Sequence, residues 1–360
     1  MVPGGGVTVQ IEIISGAGHK APAAILVSTP RQRILLDAGG ALDPHAELWP
    51  VPEKIDAILL SHDHVDHIGG LHRLAPHIPV YCTQTTAQSL PAGRNVHPIA
   101  VRGQFQLGDI TVTTGSCGHA WGGVWFHLDV ADGLFYSGDI SMESALFRFD
   151  VPPPAQIALV DASYGLYNVS QRQQWDKLRA RLTLPALCPV PPSGRAVELA
   201  LLLAREGRTD IALDAPCREM LRQMAAHNDG SLHPDVEAEL RQLLRTLPAF
   251  SAQSSLILAA DPDGQSGMAG ELRRRKDFHH RTLFTGHMNR LNHQQWLAGE
   301  VDFCRWNVHP TLKTLMLLVS MLKCSRLVPM FTHVEDIQDW QFAPGCHIVT
   351  QNMLGVDLCH

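Results

Sequence analysis

The chain of 360 residues is short of the features that would assign it to several common classes. No apolar run approaches the roughly 18 residues of a membrane helix, and the start MVPGGGVTVQ has neither a charged n-region nor a hydrophobic h-region, so neither a membrane nor export is expected. Its eight cysteines (82, 117, 188, 217, 304, 324, 346 and 359) form no CxxC pair, which argues against a zinc ribbon and a disulfide scaffold and fits reduced thiols in a cytoplasmic protein. There is no internal repeat and no low-complexity tract. A strong basic excess is missing too: the net charge is −6, with 18 Lys plus Arg against 16 Asp plus Glu over residues 166–305 and 11 against 19 elsewhere. A polyanionic substrate would therefore have to be held by local arginines and bound metal charge rather than by a global field.

What the chain does have is histidine, 20 in all, and a concentration of it at 61–70, SHDHVDHIGG. His62, His64, Asp66 and His67 follow the apolar run IDAILL. Alternation sends His62 and His64 to one side of an extended segment, while Asp66 and His67 fall in the turn that opens a helix. Imidazole and carboxylate together suit zinc or manganese, and a pair of such ions generates a hydroxide nucleophile at neutral pH. A solvated turn could also hold several histidines, but it would require neither the hydrophobic strand before it nor Gly69-Gly70 after it. Hydrolysis is the reaction class these residues point to.

Around this segment the N-terminal part reads as short strands: VTVQIEII, AAILVST, QRILLDAG, AILLS, PVYC, ITVTTGS, VWFHLDV, GLFYSGD and IALVDAS. Such a run suggests stacked sheets rather than a doubly wound parallel sheet. From about residue 170 helical spacing takes over in SQRQQWDKLRARL, GRAVELALLLAREG and DVEAELRQLLRTL. Strand-like SSLILAA and RTLFTG follow, and then the helix PTLKTLMLLVSMLK leads into RLVPMFTH. With 45 % hydrophobic residues the chain can bury two cores, and two lobes are expected.

The HxHxDH string resembles the signature of the metallo-β-lactamase superfamily. Behind it, in order, come Asp161 in LVDASYG, PPSGRAVELALLL, the Ser266 to Gly270 turn, LFTGHMNR, His309 in RWNVHPTLKTL and His333 in VPMFTH, in the order and spacing of the β-CASP nucleases. The resemblance implies an α/β (α+β) architecture: a four-layer αββα core of residues 1–164 and 306–360 with an inserted α/β β-CASP domain at 165–305. It implies a metal-dependent phosphodiester hydrolase, a nuclease acting on single-stranded RNA and leaving a 5′-phosphate, with two zinc ions (manganese as the substitute). The metal ligands would be His62, His64 and His119 for one ion and Asp66, His67 and His333 for the other, with Asp139 bridging and Asp37 anchoring the ligand loop.

The candidate catalytic residues are Asp66, His309 as general acid, and Asp161 as its orienting partner. Ser193 at the start of the GRAVELALLL helix, and Ser266 in its glycine turn, are the candidate substrate-binding residues. The run Arg273 to Lys276 reads either as a guide for a backbone or as a solvated helix face. RNA is favoured over DNA because His333 stands where the DNA-repair branch has a valine-like pattern. Departures mark a divergent branch: SYGLYNVSQRQQ carries no histidine after Asp161, NVHPT replaces SAHAD, and THVE replaces HGE. Only about 27 residues follow His333, so substrate choice is expected from the two lobes, a second copy of the chain or a partner subunit. The alternatives are a superfamily hydrolase of a small ester, thioester or lactam, a DNA nuclease, and a non-catalytic β-CASP subunit.

Overall fold

The computed structural model describes residues 7–43, 45–183 and 185–358. Residues 1–6 and 359–360, at the ends of the expected core and including Cys359 and the start on which the expectation about export rested, lie outside the described residues. Among the described residues no helix is long and apolar enough to cross a membrane.

In chain order the strands are β1 (Val7–Ser15), β2 (Ala24–Ser28), β3 (Arg33–Leu36), β4 (Ala57–Leu59), β5 (Val80–Thr83), β6 (Val96–Ile99), β7 (Gly103–Leu107), β8 (Ile110–Ser116), β9 (Val124–Leu128), β10 (Leu134–Tyr136), β11 (Ile157–Asp161), β12 (Ala186–Pro189), β13 (Ile211–Leu213), β14 (Leu256–Ala259), β15 (Arg281–Phe284), β16 (Asp302–Phe303), β17 (Arg326–Met330), β18 (His347–Ile348) and β19 (Met353–Leu358). They form two seven-stranded mixed sheets, ordered β19-β1-β2-β3-β4-β5-β6 and β18-β17-β11-β10-β9-β8-β7, and a five-stranded parallel sheet ordered β13-β14-β12-β15-β16.

The chain divides into two compact units. The first runs to Met142, continues over Phe149–Asn168 and resumes at His309, and it contains both seven-stranded sheets. Ile11, Ile25, Ile34 and Leu36 of one sheet pack with Val112, Phe126, Tyr136 and Leu159 of the other in a single apolar cluster, as alternating strand faces require. The outer face of the second sheet is covered by the helix Leu312–Leu322, which buries Leu315, Leu318, Val319 and Leu322 against Phe135, Ala158 and Val160. The outer face of the first is covered by the single-turn helix Val65–Ile68, with Leu71, Leu74 and Trp49. This is a sandwich of two sheets between helical layers, with the outer layer on the first sheet built of the short turns Val65–Ile68, Leu71–Arg73 and Gln84–Ala87.

The second unit comprises Glu143–Arg148 and Val169–Val308 around the parallel sheet. Residues 143–148 join it through backbone bonds from Arg148 N–H to Ser231 and from His233 N–H to the Leu146 carbonyl. The helix Gln171–Arg181 starts where Ser170 and Gln173 form a reciprocal capping box. The helix Ala215–Ala226 is not among the expected ones; Asp214 caps it by accepting the Cys217 N–H at 3.1 Å, with Pro216 in its first turn.

Candidate metal centre

The chain leaves β4 at Leu60, runs extended through His62 and His64, and turns into the helix Val65–Ile68. A second loop, ILLDAGG after β3, lies against it. The N–H groups of Ala38, Gly39 and Gly40 donate to the carbonyls of His67, Ala23 and Val65, and Gly70 donates to the Ala38 carbonyl. A Cβ on Gly39 would stand 2.1 Å from the Asp66 carbonyl oxygen and one on Gly70 would stand 2.5 Å from the Gly39 oxygen, so the approach requires glycine on both loops. That explains the Gly69-Gly70 pair behind the histidines.

Asp37 ties the ligand loop down from a fully buried position. Its Oδ1 accepts the Ser61 N–H at 2.7 Å; its Oδ2 accepts the Ser61 hydroxyl at 2.8 Å, the Tyr136 hydroxyl at 2.5 Å and the His67 Nδ1–H at 2.7 Å. Since the Ser61 hydroxyl spends its one proton on Asp37, it accepts from His62 Nδ1–H, 2.9 Å away. Both rings are thereby fixed with the Nε2 lone pair turned inward, the tautomer a metal ligand needs. Tyr136 and Ser61 belong to this framework and carried no signal in the sequence beyond lying on strand ends.

The inward atoms converge. His62 Nε2 and His119 Nε2 lie 3.7 and 3.6 Å from Asp139 Oδ2, and His119 Nε2 lies 3.1 Å from His64 Nδ1. On the other side His67 Nε2 lies 3.1 Å from Asp139 Oδ1 and 3.9 Å from Asp66 Oδ2. Two groupings result, His62, His64, His119 and Asp139, and Asp66, His67 and Asp139, with the Asp139 carboxylate turning one oxygen to each. His62 Nε2, His67 Nε2 and Asp139 Oδ1 are buried without a hydrogen bond, an expensive state unless a cation takes their lone pairs. The spacings suit ligand bonds of about 2 Å to a shared ion. The residues present fit a divalent metal.

The electrostatics agree. Burial and the neighbouring His67 and His64 hold His62 well below the ordinary histidine value, leaving its lone pair available. Burial opposes the charge on His67, yet Asp139, Asp66 and Asp37 draw a proton to it and raise it well above that value. Burial likewise opposes ionisation of Asp139, and His67, Lys20 and His309 hold it well below the usual carboxylate range. The position is built to attract positive charge.

Beyond the two groupings stands His309. Its Nδ1 lies 2.7 Å from Asp161 Oδ2, its ring centroid is 4.9 Å from that of His119, and it shares a third grouping with Asp139 and Asp161. Asp161 ends β11 fully buried, accepting the Ile140 N–H at 3.0 Å and the Ser163 hydroxyl at 2.6 Å. The Tyr164 ring meets His309 edge-on at 5.1 Å.

Three expected residues are not brought in as the pattern implied. His333 is exposed and belongs to neither grouping. The chain turns two residues early, at Phe331 with φ 64, whose N–H bonds the Gly16 carbonyl and whose ring packs edge-on against His67 at 5.6 Å. Ser193 lies in the wide turn Pro192–Ala196, before the helix Val197–Arg205 rather than at its first N–H groups. Ser266 gives its hydroxyl to Asp261 Oδ2 at 2.7 Å, while Asp263 accepts the N–H groups of Gln265 and Ser266, so carboxylates already occupy the donors an anion would use. In the basic run, Arg273 and Arg274 bond the Gly264 and Gln265 carbonyls and Arg275 pairs with Asp277. A residue the pattern missed is Lys20, whose Nζ lies 3.3 Å from Asp66 Oδ2.

A family model described as the β-lactamase superfamily domain matches residues 32–187, which include the ligand loop, His119, Asp139 and Asp161. Over these residues the chain is similar to the metallo-β-lactamase superfamily. Among its relatives, the transcription termination factor FttA of Methanocaldococcus jannaschii is 26% identical over 263 residues, 58% of this chain and 41% of that protein. A ribonuclease of Thermus thermophilus is 27% identical over 250 residues, 56% of each chain. A probable cleavage and polyadenylation specificity factor subunit 2 of Caenorhabditis briggsae is 30% identical over 139 residues, 36% of this chain and 13% of that one. The match thus spans about two fifths of the length of the FttA relative. A crystal structure of a protein of unknown function from Enterococcus faecalis superposes with a TM-score of 0.65 over 98% of this chain and 100% of the other, at 14% identity, and shares the fold. The candidate divalent-metal site is the pair of groupings made by His62, His64, His119, Asp66, His67 and Asp139.

Proposed function

We propose that the chain is a phosphodiester hydrolase that cleaves single-stranded RNA at a two-zinc centre, with manganese as the substitute. His62, His64, His119 and Asp139 would hold one ion, and Asp66, His67 and Asp139 the other. Bound there, the ions supply an activated water and neutralise charge that develops on the phosphate. The chain's own contribution is proton placement. Asp161 accepts the Nδ1–H of His309 and thereby leaves Nε2 to carry the proton given to the departing oxygen, a donation typically worth about 10² to 10⁴ in rate. Asp161 acts through His309 and is a positioning residue.

The observation that carries this reading is the buried Asp161–His309 pair at 2.7 Å, set beside the His119 side of the metal groupings. Among the small substrates, a thioester expels a thiolate, a leaving group that needs no such dedicated acid. The names of the relatives, a ribonuclease and factors of transcription termination and polyadenylation, favour RNA. His333, being outside the groupings, no longer bears on the choice between RNA and DNA. On this reading the first unit is the metallo-β-lactamase core, the second an inserted β-CASP domain, and the setting a reducing cytoplasm.

The test is a panel of matched single-stranded RNA, single-stranded DNA, a lactam and a thioester, offered to zinc- and manganese-loaded protein. RNA cleavage well ahead of the others is expected. Turnover of the small substrates with both nucleic acids untouched would transfer the assignment to a generic superfamily hydrolase.

A further inference from the structure

The two cation positions are not equally furnished. The first has four protein ligands; the second has Asp66, His67 and a shared oxygen-bearing Asp139, and His333 does not complete it. In its place the second position has a lysine. Lys20, in the connection between β1 and β2, puts Nζ 3.3 Å from Asp66 Oδ2, the same oxygen that faces His67 Nε2 at 3.9 Å. The ammonium also lies 5.2 Å from the centroid of the Phe331 ring, which itself packs on His67. Carboxylate and aromatic face together hold the charge at the mouth of the second position. Its side chain is 38% exposed, so the lysine can swing to solvent without opening the core.

We propose that Lys20 is a built-in competitor for the second metal position. With only the first position filled, its ammonium neutralises Asp66; a second divalent ion binds tightly only after the ammonium has released Oδ2, because the two positive charges repel across a short distance in partly buried surroundings. The centre therefore loads in order, with the histidine-rich position first and tight, and the Asp66 position second and weak. A chain of this kind would hold one ion firmly and recruit the other when the supply of metal, or a phosphate that draws Lys20 away, permits it.

This rests on the divalent-metal reading of the site and not on RNA as the substrate. The experiment uses the full chain, stripped of metal and titrated with Zn²⁺ against a chromophoric chelator, with Co²⁺ absorption reporting ligand geometry. Three proteins are compared: wild type, Lys20→Met and Lys20→Arg. Methionine keeps the length and the contact with Phe331. Wild type should show a tight and a weak ion. Lys20→Met should tighten the second ion by roughly tenfold or more, of the order expected when a partner of a ligand is changed, with the first ion unaltered, and Lys20→Arg should behave as wild type.

A second ion bound no more tightly by Lys20→Met than by wild type overturns the proposal while leaving the metal reading in place, as does equal affinity for both ions in wild type. No ion in any of the three overturns the metal reading and the proposal with it. Should Lys20→Met fail to fold, Lys20→Gln is titrated in its place and must meet the same expectation.

Discussion

Replacing Asp37 with Asn tests the framework that aims the ligands. The exchange keeps size and, because Asn tolerates positive φ, keeps the backbone at φ 58. It changes what the side chain can accept. In one orientation the amide oxygen takes the place of Oδ2 and keeps the Ser61 hydroxyl, the Tyr136 hydroxyl and His67 Nδ1–H, but the NH₂ group then faces the Ser61 N–H, which had donated at 2.7 Å. In the other orientation the NH₂ group confronts three donors. The better choice still leaves a buried donor without an acceptor and removes the charge that strengthens the rest, a loss of about 1 to 3 kcal/mol. It also loosens the tautomer of His67 and, through Ser61, of His62, which should weaken ion binding by roughly 10- to 100-fold. Chelator competition measures the second quantity and urea unfolding of the metal-free protein the first. Ion affinity and stability both equal to wild type would refute the claim that Asp37 holds these rings.

His309→Ala should leave the metal content unchanged and slow RNA cleavage by roughly 10² to 10⁴, with a smaller effect on a nitrophenyl phosphodiester, whose leaving group needs no proton; equal losses on both substrates would deny it the role of acid. Chelation should lower the thermal midpoint, since ions that bind only the folded chain stabilise it by about 4 kcal/mol at a thousandfold excess over Kd; a calorimetric midpoint indifferent to chelator would count against the ligand set. In the second unit, burial raises the Glu198 carboxyl to about 7 despite bonds from Ala145 N–H and the Ser144 hydroxyl. Because this lies above the ordinary carboxyl value of 4.5, the folded state binds the proton more tightly, and the contribution is complete below 4.5 and lost as pH rises through 7, up to about 3 kcal/mol. Glu198→Gln should flatten the urea stability profile across that window, and profiles that run parallel would show that Glu198 is not its source.

The parts of the site that could be read in the sequence are those whose chemistry and spacing are local. His62, His64, Asp66 and His67 lie within one strand end and one turn, so residue type and period suffice. Asp37, His119, Asp139 and Asp161 each follow an apolar strand, and sandwich topology brings such ends to one edge. Lys20 could not be read this way, because nothing in GAGHKAP signals that β1 and β2 deliver it to Asp66. His333 misled for the complementary reason: motif order fixes the strand that carries it, but the positive φ at Phe331 decides which side chain turns inward. The sheet sandwich followed from alternation along the strands, whereas the helix Ala215–Ala226 was not foreseen, although Asp214 and Pro216 mark its start and Cys217, Leu221, Met224 and Ala225 recur at helical spacing.

At this centre water is expected to attack phosphorus, with the 3′ oxygen leaving. Single-turnover cleavage of a single-stranded RNA by the zinc-loaded chain in ¹⁸O-water, read by mass spectrometry of the fragments, tests it most directly. One ¹⁸O atom is expected on a 5′-phosphate of the downstream fragment, with a 3′-hydroxyl on the upstream one. A 2′,3′-cyclic phosphate without label, or intact RNA with both metals bound, would contradict it.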